Sequence, residues 1–203
     1  ASDNGIIVDF MLTSCGTGRA ALENYDLSGS LSNSLQQMDV FQFILPYLQK
    51  DEFNIKENEL LYHAACHGAW TNVPTDKADL IYAENFGQLL DVDMKITPHC
   101  CAESGLGALT APKVYNALRK RKKLQMREDL EDYGQEQPVL VSCPSCKIGI
   151  NRIMQKQKTI HPVLHTLEFL IEEIKGSDWQ NRFLNSLQRQ TEGDTPLVIY
   201  KDL

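Results

Sequence analysis

Apolar positions along this chain fall into two rhythms. Short unbroken runs end at a turn or a cysteine: GIIVDFMLTSCG (5–16), NELLYHAAC (58–66), DVDMKITPHCC (91–101) and PVLVSCPSC (138–146). Runs of this kind predict buried β-strands. Between them, apolar residues recur at three- and four-residue intervals, which predicts helices. These cover RAALENYDL (19–27), MDVFQFILPYLQK (38–50), 76–90, 111–134, KIGINRIMQK (147–156) and HPVLHTLEFLIEEIKG (161–176). The 38–50 helix is expected to bury Val40, Phe43, Ile44 and Tyr47, with Pro46 kinking or ending it. The 76–90 helix is expected to bury Leu80, Ile81, Phe86 and Leu89. Pro112 can open the long 111–134 helix and Gly134 close it. SGSLSNS (28–34) reads as a polar loop. Beyond 176 the chain is polar, with a short apolar PLVIY, and reads as helix plus a stray strand.

The order of these segments carries an internal echo. IIVDFMLTSCGTGRAALENY…MDVFQFILPYL and PVLVSCPSCKIGINRIM…LHTLEFLIEEI share one layout: apolar strand, cysteine turn, helix, loop and apolar helix. Cys15 aligns with Cys143, Gly18 with Cys146, and Phe43 nearly with Phe169. The fold class expected is therefore α/β, with two pseudo-repeated strand-helix units and short, mainly parallel sheets. In such sheets a site forms beyond the carboxyl ends of the strands. Cys66, Cys100, Cys101 and Cys143 all fall at such ends.

Composition fits a globular chain with a sizeable core, 42% hydrophobic and 23% charged. The formal net charge of −7 argues against nucleic acid as a partner. No apolar stretch reaches the ~18 residues of a membrane-spanning helix, and the start lacks a basic leader. A cytoplasmic location is expected, as is a piece of a larger chain or complex, since the apolar run begins abruptly at Ile6.

Six cysteines occur: Cys15, Cys66, Cys100, Cys101, Cys143 and Cys146. Reduced thiols clustered for metal or redox chemistry explain them better than disulfides in a chain of this size. Five follow the pattern C-x33-CC-x41-C-x2-C. CPSC is a compact clamp at a helix start, where free N–H groups and the helix dipole stabilise thiolates. Adjacent cysteines chelate a single metal poorly because neighbouring side chains diverge. Five thiolates exceed a tetrahedral zinc site and exceed by one the need of an ordinary [4Fe–4S] cubane. A multinuclear cluster with a bridging or spare thiolate accounts for all five. Zinc with one cysteine left over, or a metal-free thiol–disulfide pair at Cys143 and Cys146, remain as alternatives.

YHAACH (62–67), HCCAESGLG (99–107) and VSCPSCK (141–147), followed by HPV and an apolar helix, resemble the cysteine-rich CCG domain over about residues 6–175. That domain is found in heterodisulfide reductase. It also occurs in iron–sulfur subunits of glycolate oxidase, lactate utilisation and anaerobic glycerol-3-phosphate dehydrogenase, and at the carboxyl end of FAD-linked oxidases. The resemblance implies a non-cubane [4Fe–4S] cluster held by Cys66, Cys100, Cys101, Cys143 and Cys146, in a CCG-type domain over 1–176 with an extension over 177–203. It implies an electron-transfer domain or subunit of an oxidoreductase, disulfide-reducing in the heterodisulfide-reductase version. Its expected partners are a flavin-containing dehydrogenase part, with FAD confined to that partner, and a quinone, thiol or carrier protein. Association with a membrane would be peripheral and through partners. Cys15 would be the remnant of a preceding copy. Two positions depart from the family pattern: Ala102 stands where Gly is usual after the cysteine pair, and Ala64–Ala65 replace Asp-Pro.

His63, His67 and His99 lie close to the cysteines and can donate hydrogen bonds or protons there, His67 being the favoured proton donor. His161 and His165 read as structural. RKRKK (119–123), followed by REDLEDYGQE, reads as a solvated helical face, with a docking patch for an acidic electron-transfer partner as the alternative.

Overall fold

A computed structural model describes residues 9–23, 35–103, 107–134, 136–158 and 160–191. The 28–34 loop, the start of the first strand and PLVIY lie outside the described residues. Along the chain run β1 (Phe10–Thr13), α1 (Gly16–Glu23), β2 (Gln36–Asp39), α2 (Val40–Ile44), β3 (Glu59–His63), α3 (Thr75–Leu90) and β4 (Asp93–Thr97). There follow α4 (Gly107–Thr110), α5 (Pro112–Asp129), β5 (Val139–Val141), α6 (Pro144–Gln157), β6 (Val163–His165), α7 (Thr166–Lys175) and α8 (Trp179–Thr191). The fold is α/β with all described strand pairs parallel: β1 with β2, and a second sheet in the order β4-β3-β5-β6.

The second sheet is covered on both faces, so its central strands are apolar throughout rather than alternating. Leu60, Leu61 and Tyr62 of β3 and all three residues of β5 are fully buried. One face packs Phe41, Tyr82, Phe86, Phe169 and Leu170, from α2, α3 and α7. The other packs Met126 of α5 with Ile150, Ile153 and Met154 of α6, together with Cys101, Cys143 and Cys146. From β3 the chain leaves through α3 toward β4; from the adjacent β5 it leaves through α6 toward β6. The two loops diverge to opposite faces and open a crevice at the carboxyl ends. Register makes those ends level, since His63 pairs with both Thr97 and Val141, and Val141 with His165.

The internal echo is visible in three dimensions as β1-α1-β2-α2 and β5-α6-β6-α7. Asp39 caps α2 by accepting from the Phe41 N–H, and His165 caps α7 by accepting from the Leu167 N–H. The expected match of Phe43 with Phe169 is shifted by two residues. Phe41 lies 26 positions after Cys15 (41 − 15) and Phe169 lies 26 after Cys143 (169 − 143). Both are buried, and both rings meet Phe86, at 5.3 and 6.3 Å.

Several predicted elements differ. The 38–50 helix is shorter: β2 takes Gln36–Asp39, α2 ends at Ile44, and a 3₁₀ turn follows at Leu45–Tyr47. Phe41 is the buried member and Tyr47 is 75% exposed, because Asp39 starts the helix later and rotates its inner face. Within HPVLH, Val163–His165 form strand β6 rather than helix, with the capping box of His165 and Glu168 marking the true helix start. Leu80 points outward, and Ala78, Tyr82 and Ala83 fill its expected place. Helix α5 stops at Asp129, short of Gly134.

Candidate metal centre

Each cysteine segment leaves a strand end and turns inward. Cys15 follows β1 by two residues, Cys66 and Cys100 follow β3 and β4 by three, and Cys143 follows β5 by two. Cys143 is the N-cap of α6 and Pro144 its first residue, which fixes the first turn and turns Cys146 toward the crevice. All six cysteines are free thiols and line a single cavity of about 460 Å³, with Ala65, His67 and Glu103. Cys15 Sγ lies 3.7 Å from Cys143 Sγ, and Cys66 Sγ lies 3.9 Å from Cys100 Sγ. Cys100 also contacts Cys101, Cys101 contacts Cys146, and Cys146 contacts Cys143. The six sulfurs therefore form one unbroken file: 66, 100, 101, 146, 143, 15.

Protons are shared along that file. The Cys143 thiol is pulled down to about 5, first by the hydrogen bond from Cys146 and further by the Cys146 and Ser145 backbone N–H groups, against the effect of burial. Hydrogen bonds from Cys101 and Cys66 hold Cys100 far below the usual thiol range. Their donors move the opposite way: Cys101 is pushed up to about 11, chiefly by Cys100, and Cys66 and Cys146 go higher still. Crowded thiols resist joint ionisation because the anions repel and lose hydration. A soft cation removes that conflict, so the donor set fits a metal.

His63 is the histidine that reaches this set. It is fully buried, and one of its ring nitrogens lies with Cys101 Sγ and Cys146 Sγ within 4.8 Å of one another. Beyond a weak approach to the Thr97 backbone, neither ring nitrogen has a hydrogen-bond partner. Burial, then the charge of Lys122, lowers its pKa to about 3, leaving a neutral imidazole able to ligate. His67, the expected proton donor, lines the same cavity and is exposed, whereas His63 is buried beside Cys101 and Cys146. His161 bonds the Gln137 carbonyl at 3.0 Å, and His165 caps α7, both structural positions.

The supporting groups are less legible in the sequence. Asp79 of α3 accepts from the Tyr62 hydroxyl at 2.7 Å, from Ser142 at 3.2 Å and from the Ala65 N–H at 2.7 Å. One carboxylate thereby ties the residues just before Cys66 and Cys143. Burial raises its pKa to about 6. Glu103, just after the cysteine pair, is held by Arg119 of α5 and Arg152 of α6. Ala102 adopts φ +57°, and its N–H donates to Cys100 Sγ at 3.3 Å. Where the resemblance leads one to expect Gly, Ala102 thus occupies a backbone conformation that favours Gly.

Lys122 corrects the reading of RKRKK as wholly solvated. It is fully buried, with Nζ donating to Thr97 Oγ1 at 2.8 Å and to the Pro98 carbonyl at 2.6 Å. The signal was periodic: Tyr115, Leu118, Lys122 and Met126 lie on one stripe of α5. Burial lowers its pKa to about 8, opposed by the charges of Asp129 and the nearby cysteines.

Comparison with protein-family models, with curated proteins and with solved structures finds no match. Among the described residues, no helix is long and apolar enough to cross a membrane.

Proposed function

We propose that this chain is an iron–sulfur-binding electron-transfer module of an oxidoreductase. The observation that carries this reading is the unbroken file of six sulfurs around one cavity. A single tetrahedral metal takes four donors; a polynuclear cluster uses the remainder, including the adjacent Cys100 and Cys101. Cys66, Cys100, Cys101, Cys143 and Cys146 would hold the cluster, with Cys15 beside Cys143. Bound there, a cluster supplies one-electron transfer at a potential set by charge, hydrogen bonds and exposure. The chain's own residues prepare for this. Asp79 fixes two cysteine loops, α6 presents N–H groups to Cys143, and buried apolar strands exclude water from the floor. Cys66 is exposed, which suits exchange of electrons with a flavin-bearing partner on one side and a quinone, thiol or carrier protein on the other. The duplicated β-α-β-α layout supports the resemblance to the CCG domain, and the disulfide-cleaving version rests on that resemblance alone.

A second reading has its own observation. The buried His63, Cys101 and Cys146 group suits a single zinc, completed by a neighbouring thiolate, in a structural site without redox activity. Iron, zinc and acid-labile sulfide per chain, measured on protein purified without oxygen, separate the two. About four irons and four sulfides are expected, with a brown protein. Stoichiometric zinc without sulfide, persisting through attempted reconstitution, would overturn the cluster reading.

A further inference from the structure

A basic strip runs between α5 and α6. Arg119, Lys120, Lys123 and Arg127 of α5 and Arg152 and Lys156 of α6 line two grooves of about 300 and 380 Å³, which adjoin at Lys123 and Lys156. Among the described residues no acidic side chain lines either groove. Six of the chain's 20 lysines and arginines thus gather on one strip of a chain whose net charge is −7. Arg119, Lys123 and Arg127 follow one another at four-residue spacing, as do Arg152 and Lys156. Like charges at that spacing weaken a helix, and a merely solvated face interleaves the two signs. Glu128 and Asp129, acids expected to offset RKRKK, line neither groove. Gln157 braces the strip at its middle, its Nε2 donating to the Lys123 carbonyl at 2.7 Å. The end nearest the cysteines shows what these cations receive. Glu103 Oε1 meets Arg152 at 2.5 Å and Oε2 meets Arg119 at 3.7 Å. Glu103 also lines the sulfur cavity, so strip and cavity share that residue.

We propose that the α5–α6 groove docks an acidic segment of a partner protein. From Asn116 to Arg127 the strip runs about 16 Å along α5, the length of about five extended residues. That length suits a row of carboxylates rather than one compact phosphate, and Glu103 already shows the guanidinium groups taking a carboxylate. The acidic remainder of the chain repels a long polyanion such as nucleic acid, whereas a protein can confine its negative charge to the docked segment. The docking role stands on charge and shape; that the partner exchanges electrons with the cysteine centre rests on the iron–sulfur reading.

The test uses the full chain and a fluorescein-labelled peptide of about six consecutive glutamates, long enough to span the strip, read by fluorescence anisotropy at low salt. Saturable binding that weakens as salt rises is expected. Lys123→Glu with Lys156→Glu reverses the two positions common to both grooves and is expected to weaken binding at least tenfold. Lys77→Glu with Lys175→Glu changes the net charge equally at exposed positions of α3 and α7, across the sheet from the groove; it is expected to stay within threefold. Lys123→Gln with Lys156→Gln is expected to weaken binding at least threefold, and stands in if the reversed pair does not fold. Equal losses in the two reversed pairs would overturn the proposal, reducing the effect to overall charge. A wild-type chain that shows no saturable binding would overturn it as well. So would a thymidine oligonucleotide of equal charge that binds more tightly than the peptide and loses as much on reversal, which would assign the groove to nucleic acid. Iron and sulfide content is read separately, so failure of the docking role leaves the iron–sulfur reading standing.

Discussion

Cys15 Sγ and Cys143 Sγ meet at 3.7 Å although they leave strands of different sheets, β1 and β5. The contact places equivalent members of the two repeated units face to face. With Cys143 held toward thiolate, the pair is poised for oxidation when no metal occupies it. Treating the metal-free chain with diamide is expected to link Cys15 to Cys143, found by mass spectrometry of non-reduced peptides. Loading with metal first should suppress that link. A Cys66–Cys100 link appearing alone would show that Cys15 and Cys143 are not the reactive pair.

Ala102 sits at φ +57° in the turn after the cysteine pair. An L residue there costs ~1 kcal/mol relative to glycine. Ala102→Gly is therefore expected to stabilise the chain by up to about 1 kcal/mol, read as a higher urea midpoint at an unchanged slope. A lower midpoint would show that the methyl group contributes more by packing than it costs in backbone strain.

Gly149 and Gly18 make opposite predictions. A Cβ on Gly149 would stand 2.8 Å from the Cys101 carbonyl oxygen and 3.0 Å from its Cβ, whereas at Gly18 it would meet only the Cys15 Cβ at 3.8 Å. Gly149→Ala should displace Cys101 and lower metal content per chain at least twofold. Gly18→Ala should leave it unchanged, and Gly18→Cys should add a titratable thiol to the cavity without loss of folding. Equal metal content in Gly149→Ala and wild type would mean that the cysteine pair tolerates the shift.

Asp39 is buried at the start of α2, and burial raises its pKa to about 6, against the pull of the helix N–H groups. The folded value lies above the unfolded one, so its contribution is fully present below about 3.8 and is lost as pH rises through about 6. The loss amounts to at most about 3 kcal/mol. Asn caps a helix as well as Asp and carries no charge to bury. Asp39→Asn should melt at a higher temperature than wild type at pH 7.5, with the gap closing near pH 4. A gap that widens toward acid would reverse the sign.

How much of this was legible in the sequence follows from which forces act locally. The apolar runs of β3, β4 and β5 and the stripe of α3 announced themselves, because a doubly covered parallel sheet demands unbroken apolar strands. β2 did not: QQMD carries no apolar run and is held by pairing with β1 and by the Asp39 cap. HPVLH hid as helix because Leu164 and the helix beyond it continue a helical rhythm, while a capping box sets the boundary. The cysteines could be placed at strand ends from the apolar runs that lead into them. Their sequence along the sulfur file, the approach of His63 to Cys101 and Cys146 and the burial of Lys122 depend on which faces α5 and α6 present after packing.

The long sequence reach of the cavity has a kinetic consequence. Cys15 and Cys143 are 128 positions apart, while Cys66 and Cys100 are 34 apart. Closing so long a loop is slow and entropically costly, so the donor file is completed only once β5 has entered the sheet between β3 and β6. Before that, only Cys66, Cys100 and Cys101 are brought together, by the pairing of β3 with β4. A metal held as proposed would stabilise the last contacts to form, tying its retention to the unfolding rate of β5 and its neighbours.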